Sequence, residues 1–348
     1  MRGAVRWFGR HVAAAMGLVL LALLASALIA VGSLVRDARR QAESRERERE
    51  LGRFLSVVGT RGHRIDKYFL RFESELEALA ASAETALAGP PAATGPWWTD
   101  ADFHPPDLAW SDRYGKEVSF GWPVFRLPPG LAEADARTSI EKLAGAAGRL
   151  RSTWAAGQGD SGRMRTEGVH VVWTYVGLES GLHCAFPGKS GYPPGFDPRT
   201  RPWYVAARDR NDLVWLGPYA DATGQGLLLT CSRAVRDAGG AVAGVVGLDL
   251  AIGELHETLL ALTGEPLVEG VYVLDHEGRV VLGAPGELSA PADPEAPIIG
   301  PLFPNRAVVD AVRGDEVGLV ALEGSAIAVL HRLEALGWHY VVLARAPE

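Results

Sequence analysis

Apolar positions fall along this chain in three different rhythms. Residues 12–35 form one uncharged, almost wholly apolar run. About 20 such residues span the hydrocarbon core of a bilayer, so the run predicts a membrane-crossing helix. Arg and Glu then alternate over residues 45–50, and apolar side chains recur at Leu51, Phe54, Val58, Ile65, Phe69, Phe72, Leu76 and Leu79. Their spacing, mostly three, four and seven, predicts a long helix over residues 36–88. Such a stripe is either a coiled-coil seam or a face packed on the chain's own sheet. We expect both, with dimer contacts nearest the membrane and intramolecular packing further along. Gly89-Pro90-Pro91 ends the helix.

Beyond it the rhythm shortens. A second helix is predicted over residues 132–155, with Ile140, Leu143, Ala147 and Leu150 on one face. Strand-like patches fall at 117–125, 169–176 and 182–186, the last two joined by a turn at 179–181. A short helix is expected over 204–208, strands over 226–235 and 241–250 about a turn at 237–240, and a helix over 252–262. A smaller set follows: strand, turn and strand over 270–282, a helix over 305–313, and strands over 317–322, 325–330 and 338–343. Helices and antiparallel strand sets come in succession, without the βαβ alternation of a parallel sheet. The fold class is therefore α+β. The chain divides into a cytoplasmic N-terminus (1–11), a transmembrane anchor (12–35), a long helix (36–88), a larger unit (89–262) and a smaller one (263–348).

Composition removes several function classes. The chain has 348 residues, 47% of them hydrophobic, and a net charge of −7. No basic patch interleaves with aromatics, so nucleic acid is not an expected partner. Arg2, Arg6 and Arg10 precede the apolar run and Arg36, Arg39 and Arg40 follow it, so positive charge alone does not set the orientation. Ala25-Ser26-Ala27 resembles a signal-cleavage site, but the apolar run continues past it, and we expect an uncleaved, single-pass anchor. The only cysteines, Cys184 and Cys231, are too few for a zinc cage. They either form one disulfide in an exported domain or stand as two buried small residues. His104, His170 and His183 lack metal-ligand spacing and read as surface or internally satisfied histidines. Ser161 and Ser232 lack a nucleophile elbow, no phosphate-binding P-loop occurs, and residues 275–279 read as a polar hairpin turn. No catalytic constellation and no cofactor is expected.

The chemistry concentrates in residues 196–207, where Arg201, Trp203 and Tyr204 fall within four residues of one another, stiffened by Pro198 and Pro202. Arginine offers a charged planar fork that matches a carboxylate, and an indole N–H can add a donor. Downstream come Tyr219 and Asp221, then Asp249. Two carboxylates and a phenol are what an ammonium group needs. Together the two sets suit a small zwitterion. Each residue also has a structural reading: Arg201 paired with Asp197 or another carboxylate, Trp203 and Tyr204 as core aromatics, and Asp249 capping the helix predicted from residue 252.

The run Asp197-Pro198-Arg199-Thr200-Arg201-Pro202-Trp203-Tyr204, the strand 229–235 and the strand 244–250 together resemble a double Cache (dCACHE) domain. The resemblance covers residues 35–348 and is strongest over 169–262. It implies two tandem PAS-like units behind a long helix, the larger membrane-distal and ligand-binding, the smaller membrane-proximal. It also implies a bacterial inner-membrane protein with its main domain periplasmic, joined in such families to chemotaxis receptors, kinases or cyclases. In the subset that binds amino acids, Arg201 and Trp203 match the positions that hold the ligand carboxylate, and Tyr204 continues that motif. Tyr219, Asp221 and Asp249 match those that hold its ammonium. The subset has a tyrosine where this chain has Phe196, so one hydroxyl of that set is missing. The expected partners are an amino acid or amine, a second copy along the long helix, and a signalling protein or further output region. The competing expectation is a non-catalytic scaffold with an empty pocket.

Overall fold

A computed structural model describes residues 2–91, 96–158, 171–252, 262, 264–283, 298 and 300–346; for residues 2–20, 22 and 25 it describes the backbone alone. The chain divides into two bodies, residues 1–57 with 346–348, and residues 58–345. Helix α1 (Arg2–Ala88) begins in the first and continues into the second. In the first body its side chains at Leu21, Leu23, Leu24, Leu28, Ile29, Val31, Leu34 and Val35 are all exposed. Among the described residues, no helix is long and apolar enough to cross a membrane.

The second body carries, in order, β1 (Trp98–Thr99), β2 (Ala109–Ser111), β3 (Lys116–Ser119), β4 (Val124–Arg126), α2 (Glu133–Ala144), α3 (Ala147–Ala156), β5 (Val171–Leu178), β6 (His183–Phe186), β7 (Gly188–Lys189), α4 (Pro202–Ala207), β8 (Val214–Ala220), β9 (Leu227–Arg236) and β10 (Val242–Ala251). After these come β11 (Val268–Leu274), β12 (Val280–Leu282), α5 (Arg306–Arg313), β13 (Gly318–Ala321), β14 (Ala326–Leu333) and β15 (Trp338–Arg345). The larger sheet has seven strands in the order β1-β4-β6-β5-β10-β9-β8, and the smaller has five in the order β12-β11-β15-β14-β13. Both are antiparallel throughout except where β1 runs parallel to β4. This is the expected α+β arrangement of a long helix and two successive antiparallel units. A three-stranded ribbon, β2-β3-β7, lies beside them.

Past residue 57, α1 is a spine along both sheets. Its stripe from Val58 through Ile65, Phe69, Phe72, Leu76 and Leu79 to Ala83 is buried, as a stripe of helical period facing a sheet must be. Phe69 meets the Trp215 ring of β8 edge-on at 5.0 Å, and Trp215 Nε1 donates to Glu73 Oε1 at 2.9 Å. Glu75 pairs with Arg149 of α3 at 2.7 Å. On the smaller sheet, Gly62 lets the helix approach β14 so closely that a Cβ there would sit 2.2 Å from the His331 ring. Asp66 Oδ1 takes the Ala335 backbone N–H at 3.0 Å.

Several expectations need correction. The helix expected over 132–155 is two helices, because the chain breaks at Gly145-Ala146 between α2 and α3. The patch at 117–125 is two short strands, β3 and β4, in different sheets. Strand β8 was not foreseen. It contains Gly217-Pro218, which disqualifies an inner strand; it is the outermost strand, and its pairing slips between Leu216 and Tyr219 around that proline. Cys184 and Cys231 are free, buried thiols. They lie on β6 and β9, with β5 and β10 between, so the sheet itself forbids a bond. Residues 169–170 of one expected strand and 253–261 of the expected helix lie outside the described residues, as do Ser161 and His170.

Candidate ligand-binding site

A hollow of about 30 Å³ opens over one face of the larger sheet, lined from five strands and the loops that follow them. Trp173 and Tyr175 of β5 share a sheet face because they are two residues apart. Asp249 of β10 stands opposite Trp173 on one side and Thr230 of β9 on the other. Cross-strand neighbours are close enough for side chains to bond. Asp249 Oδ1 accepts the Thr230 hydroxyl at 2.6 Å and the Tyr175 hydroxyl at 2.7 Å, with the Tyr219 hydroxyl at 3.5 Å. Oδ2 takes no hydrogen bond among the described residues. Burial pushes this carboxyl up to about 7 despite the two hydroxyls, and the nearby Asp221 adds to the rise.

Asp221 follows β8 in a tight turn, its N–H bonded to Gly226 O at 2.9 Å. Its Oδ2 is saturated: the Thr223 hydroxyl at 2.6 Å, Gln225 N at 3.0 Å and Trp173 Nε1 at 3.5 Å. Burial works to raise its pKa, yet the positive charge of Lys189 and these hydrogen bonds outweigh it, so Asp221 lies below the usual carboxylate range. The two acids thus differ in readiness: Asp221 is held ionised, and Asp249 is poised near neutrality.

The cationic wall comes from the turn before α4. Asp197 begins that turn, taking the Arg199 N–H at 2.9 Å and the Arg199 guanidinium at 2.6 Å. Pro202 occupies the first helical turn, where its fixed φ and missing N–H cost nothing. Arg201 is left extended at the helix entrance, 3% exposed, and donates from Nη2 to Ala220 O at 3.4 Å. Trp203 packs on Tyr175 at 4.6 Å between ring centres, and its Nε1 donates to nothing among the described residues. A Cβ at Gly177 would meet the Trp203 ring at 2.8 Å, so β5 must carry glycine there for the indole to seat.

Of the residues the sequence singled out, Arg201, Trp203, Tyr219, Asp221, Asp249 and Phe196 line this one hollow. Tyr204 does not. Consecutive helical residues point about 100° apart, and its hydroxyl donates instead to Glu179 Oε1 at 2.7 Å. The alternatives of an Arg201–Asp197 pair and of Asp249 as a helix cap are not realised: Asp197 holds Arg199, and Asp249 lies within β10.

Residues 187–257 match the family described as methyl-accepting chemotaxis protein-like, first PDC sensor domain. Arg201, Trp203, Tyr219, Asp221 and Asp249 all lie within that matched stretch. Among curated relatives, the methyl-accepting chemotaxis protein McpA of Pseudomonas putida is 37% identical over 114 residues, 32% of this chain and 17% of that protein. The methyl-accepting chemotaxis protein PctB of Pseudomonas aeruginosa is 38% identical over 85 residues, 24% of this chain and 13% of that protein. The chain therefore matches less than a fifth of either relative's length. Among solved structures, the ligand-binding domain of the Pseudomonas aeruginosa amino acid chemoreceptor PctC in complex with GABA superposes with a TM-score of 0.45. It shares 18% identity and the match covers 84% of this chain and 98% of that one.

Several residues of the hollow escaped the sequence reading, among them Trp173, Tyr175 and Thr223, and three more matter for its charge. Lys189 of β7 is 3% exposed and places Nζ 3.2 Å from the centre of the Trp173 ring, with a hydrogen bond to Thr223 Oγ1 at 2.8 Å. Burial pulls its pKa down to about 7, against the attraction of Asp221. Tyr192 and His183 also line the hollow, and His183 corrects its reading as a surface or satisfied residue. It is buried, and burial with Lys189 and Arg201 close by holds it neutral, its pKa down to about 3. Lysine is rarely buried, and Lys189-Ser190-Gly191-Tyr192-Pro193-Pro194-Gly195 has the composition of a surface loop. Nothing in the local pattern marks these side chains as internal.

Proposed function

We propose that this chain is the sensing part of a membrane-anchored receptor that binds a small amino acid or related amine outside the cytoplasm. The observation that carries this reading is the hollow in which Arg201 and the Trp203 indole face the acids Asp221 and Asp249. A ligand carboxylate would take donors from the first pair. Its ammonium would take Asp249 Oδ2 and Asp221, neither acid being in a direct ion pair among the described residues. Phe196 stands where the resemblance expects a tyrosine, and the wall there is aromatic: Phe196 stacks on Tyr192 at 4.9 Å and on His183 at 5.3 Å.

The unit of residues 89–262 is then the membrane-distal, ligand-binding one, and residues 263–348 the membrane-proximal one. Residues 12–35 are the single-pass anchor in a bacterial inner membrane, with residues 1–11 cytoplasmic and the rest periplasmic. The apolar side chains from Leu21 to Val35 that lie bare on α1 support this placement, since an exposed apolar band of that size fits lipid. The highly charged stretch that follows suits a homodimer along α1. The family match over residues 187–257 and the chemotaxis relatives support an output in chemotaxis or a similar pathway, through a partner protein or further chain.

Signal transfer needs an element that both the ligand and the output contact. Strand β8 qualifies. Tyr219 borders the hollow, and four residues earlier Trp215 packs on Phe69 and bonds Glu73 of α1. Ligand that favours one position of β8 would favour one position of the spine.

The test is calorimetric titration of the full chain in mild detergent with a panel of amino acids and amines. Saturable binding that Arg201→Ala and Asp249→Ala each abolish supports the reading. A panel with no binder, or binding indifferent to both changes, overturns it in favour of a scaffold with an empty pocket.

A further inference from the structure

The donors and acceptors already assigned do not use up the hollow. A ligand's α-carboxylate engages Arg201 and Trp203, and its ammonium engages Asp249 and Asp221. Three polar groups remain on the same lining. Lys189 Nζ has one hydrogen bond, to Thr223, and the face of Trp173, and it forms no ion pair among the described residues. The Tyr192 hydroxyl is buried without a hydrogen-bond partner among the described residues, and so is His183 Nδ1. These groups are neighbours: Lys189 Nζ lies 5.3 Å from the Tyr192 ring centre, and the Tyr192 and His183 rings are 5.7 Å apart.

A buried cation without a counter-ion and buried polar atoms without partners are both costly. A structural lysine would sit against a carboxylate, and both acids of the hollow are near at hand, yet Lys189 is held off them by Thr223 and the Trp173 face. Lys189 reaches Asp221 only through the Thr223 hydroxyl, which donates to Asp221 Oδ2 at 2.6 Å, and what the cluster lacks is an anion in direct contact with it. We propose that Lys189, with Tyr192 beside it, forms a second anion subsite, and that the ligand is a small amino acid bearing a second carboxylate. L-aspartate is the shortest amino acid of that kind. This inference rests on the amino-acid reading of the site and narrows it. It makes Lys189 a specificity-determining residue rather than a further holder of the α-carboxylate.

The experiment is calorimetric titration of the full chain in detergent with L-aspartate, L-asparagine, L-glutamate and L-alanine, repeated on Lys189→Met, Lys189→Arg and Tyr192→Phe. L-asparagine has nearly the shape of L-aspartate without the second charge. The wild-type protein should bind L-aspartate at least about 10-fold more tightly than L-asparagine. Lys189→Met should weaken L-aspartate by roughly 30-fold or more, the usual result of removing one partner of a desolvated charged pair, and leave L-asparagine within about three-fold. Lys189→Arg should keep the preference, and Tyr192→Phe should reduce it several-fold. Equal affinity for L-aspartate and L-asparagine in the wild-type protein overturns the inference, and needs no variant to fold. So does equal loss of both ligands in a Lys189→Met protein of unchanged circular dichroism. Binding of L-alanine or L-asparagine without any preference for the acid leaves the zwitterion site standing and removes only the second subsite. No binding by any of the four, nor by the wider panel, removes both.

Discussion

The two sheets of this chain solve the same packing problem with opposite chemistry. Both are antiparallel and both lean on α1. The five-stranded sheet closes over Leu274, Val280, Phe303, Val308, Val312, Ala328, Leu330 and Val341, and His339 is its one buried polar residue among those described. The seven-stranded sheet buries Thr174, His183, Lys189, Arg201, Thr223, Thr230, Ser232 and Asp249. Helix α5 covers the smaller sheet with an apolar face, capped by Asn305, whose side chain accepts the Val308 N–H at 3.3 Å. The larger sheet is covered over its hollow by loops, a turn and the short α4. Loops can present charges that a packed helix face would exclude. The lesson is that one architecture serves as a dry structural unit when a helix covers it and as a polar receptacle when loops do.

That contrast can be broken at its strongest point first. Arg201→Ala should cost amino-acid affinity about 30-fold to several thousand-fold by titration calorimetry, since it strips a buried cation from its anion. The same change should leave the smaller sheet's proton resonances in place. Leu330→Ala is the mirror experiment. It should lower unfolding free energy by about 2–5 kcal/mol in urea titrations, while the ligand dissociation constant of the folded protein stays the same. A large loss of affinity from Leu330→Ala would mean the two units are not separable in this way.

The poised acid gives a pH test. Asp249 has a folded pKa of about 7, above the ordinary carboxylate value. The folded state holds this proton more tightly, so the stability it confers is full at acid pH and is lost as pH rises through about 7. Lys189 has the opposite shift, down to about 7. Its contribution is full above the ordinary lysine value and is lost as pH falls through about 7. The ligand-free protein should therefore carry a dip in stability near neutrality. Asp249→Asn should raise the ligand-free melting midpoint at pH 7.5 by a few degrees. The advantage should shrink toward pH 4, while ammonium binding is lost throughout. A wild-type midpoint that the change lowers at every pH would show that Asp249 is structural. For amino acids without a second charge, affinity should climb from pH 6 to pH 8 as Asp249 ionises. Smallest of all, thiol reductant should not move the melting midpoint, because Cys184 and Cys231 are unbonded and burial raises both thiol pKa values. Labelling by a thiol reagent should wait for unfolding.

The sequence made these units legible to unequal depth. Strands β9 and β10 are long, mostly apolar runs bounded by a turn, buried along nearly their whole length, and their ends fall within a residue or two of expectation. The stripe on α1 identified its buried face because a helix shows one side at a fixed period. Strand β8 was hidden by Gly217-Pro218, a pair that reads as a break unless one knows the strand is outermost. The Arg201–Trp203 spacing pointed at the hollow because a rigid turn carries both. Tyr204 was counted with them because adjacency in sequence looks like adjacency in space, and in a helix it is not. Lys189, Tyr192 and His183 were invisible as a set, since only the folding of β7 and its loop onto β5 brings them together.

The proline of β8 also bears on how copies of this protein meet one another. An outer strand normally offers a ladder of unpaired N–H and C=O groups to any passing chain. Here the ladder is broken at Pro218, which has no N–H to give, and the Pro218 carbonyl is already occupied by the Ile298 N–H at 2.7 Å. A foreign strand could not zip along this border without meeting that gap. Copies of this chain would thus be kept from fusing sheet to sheet along this border.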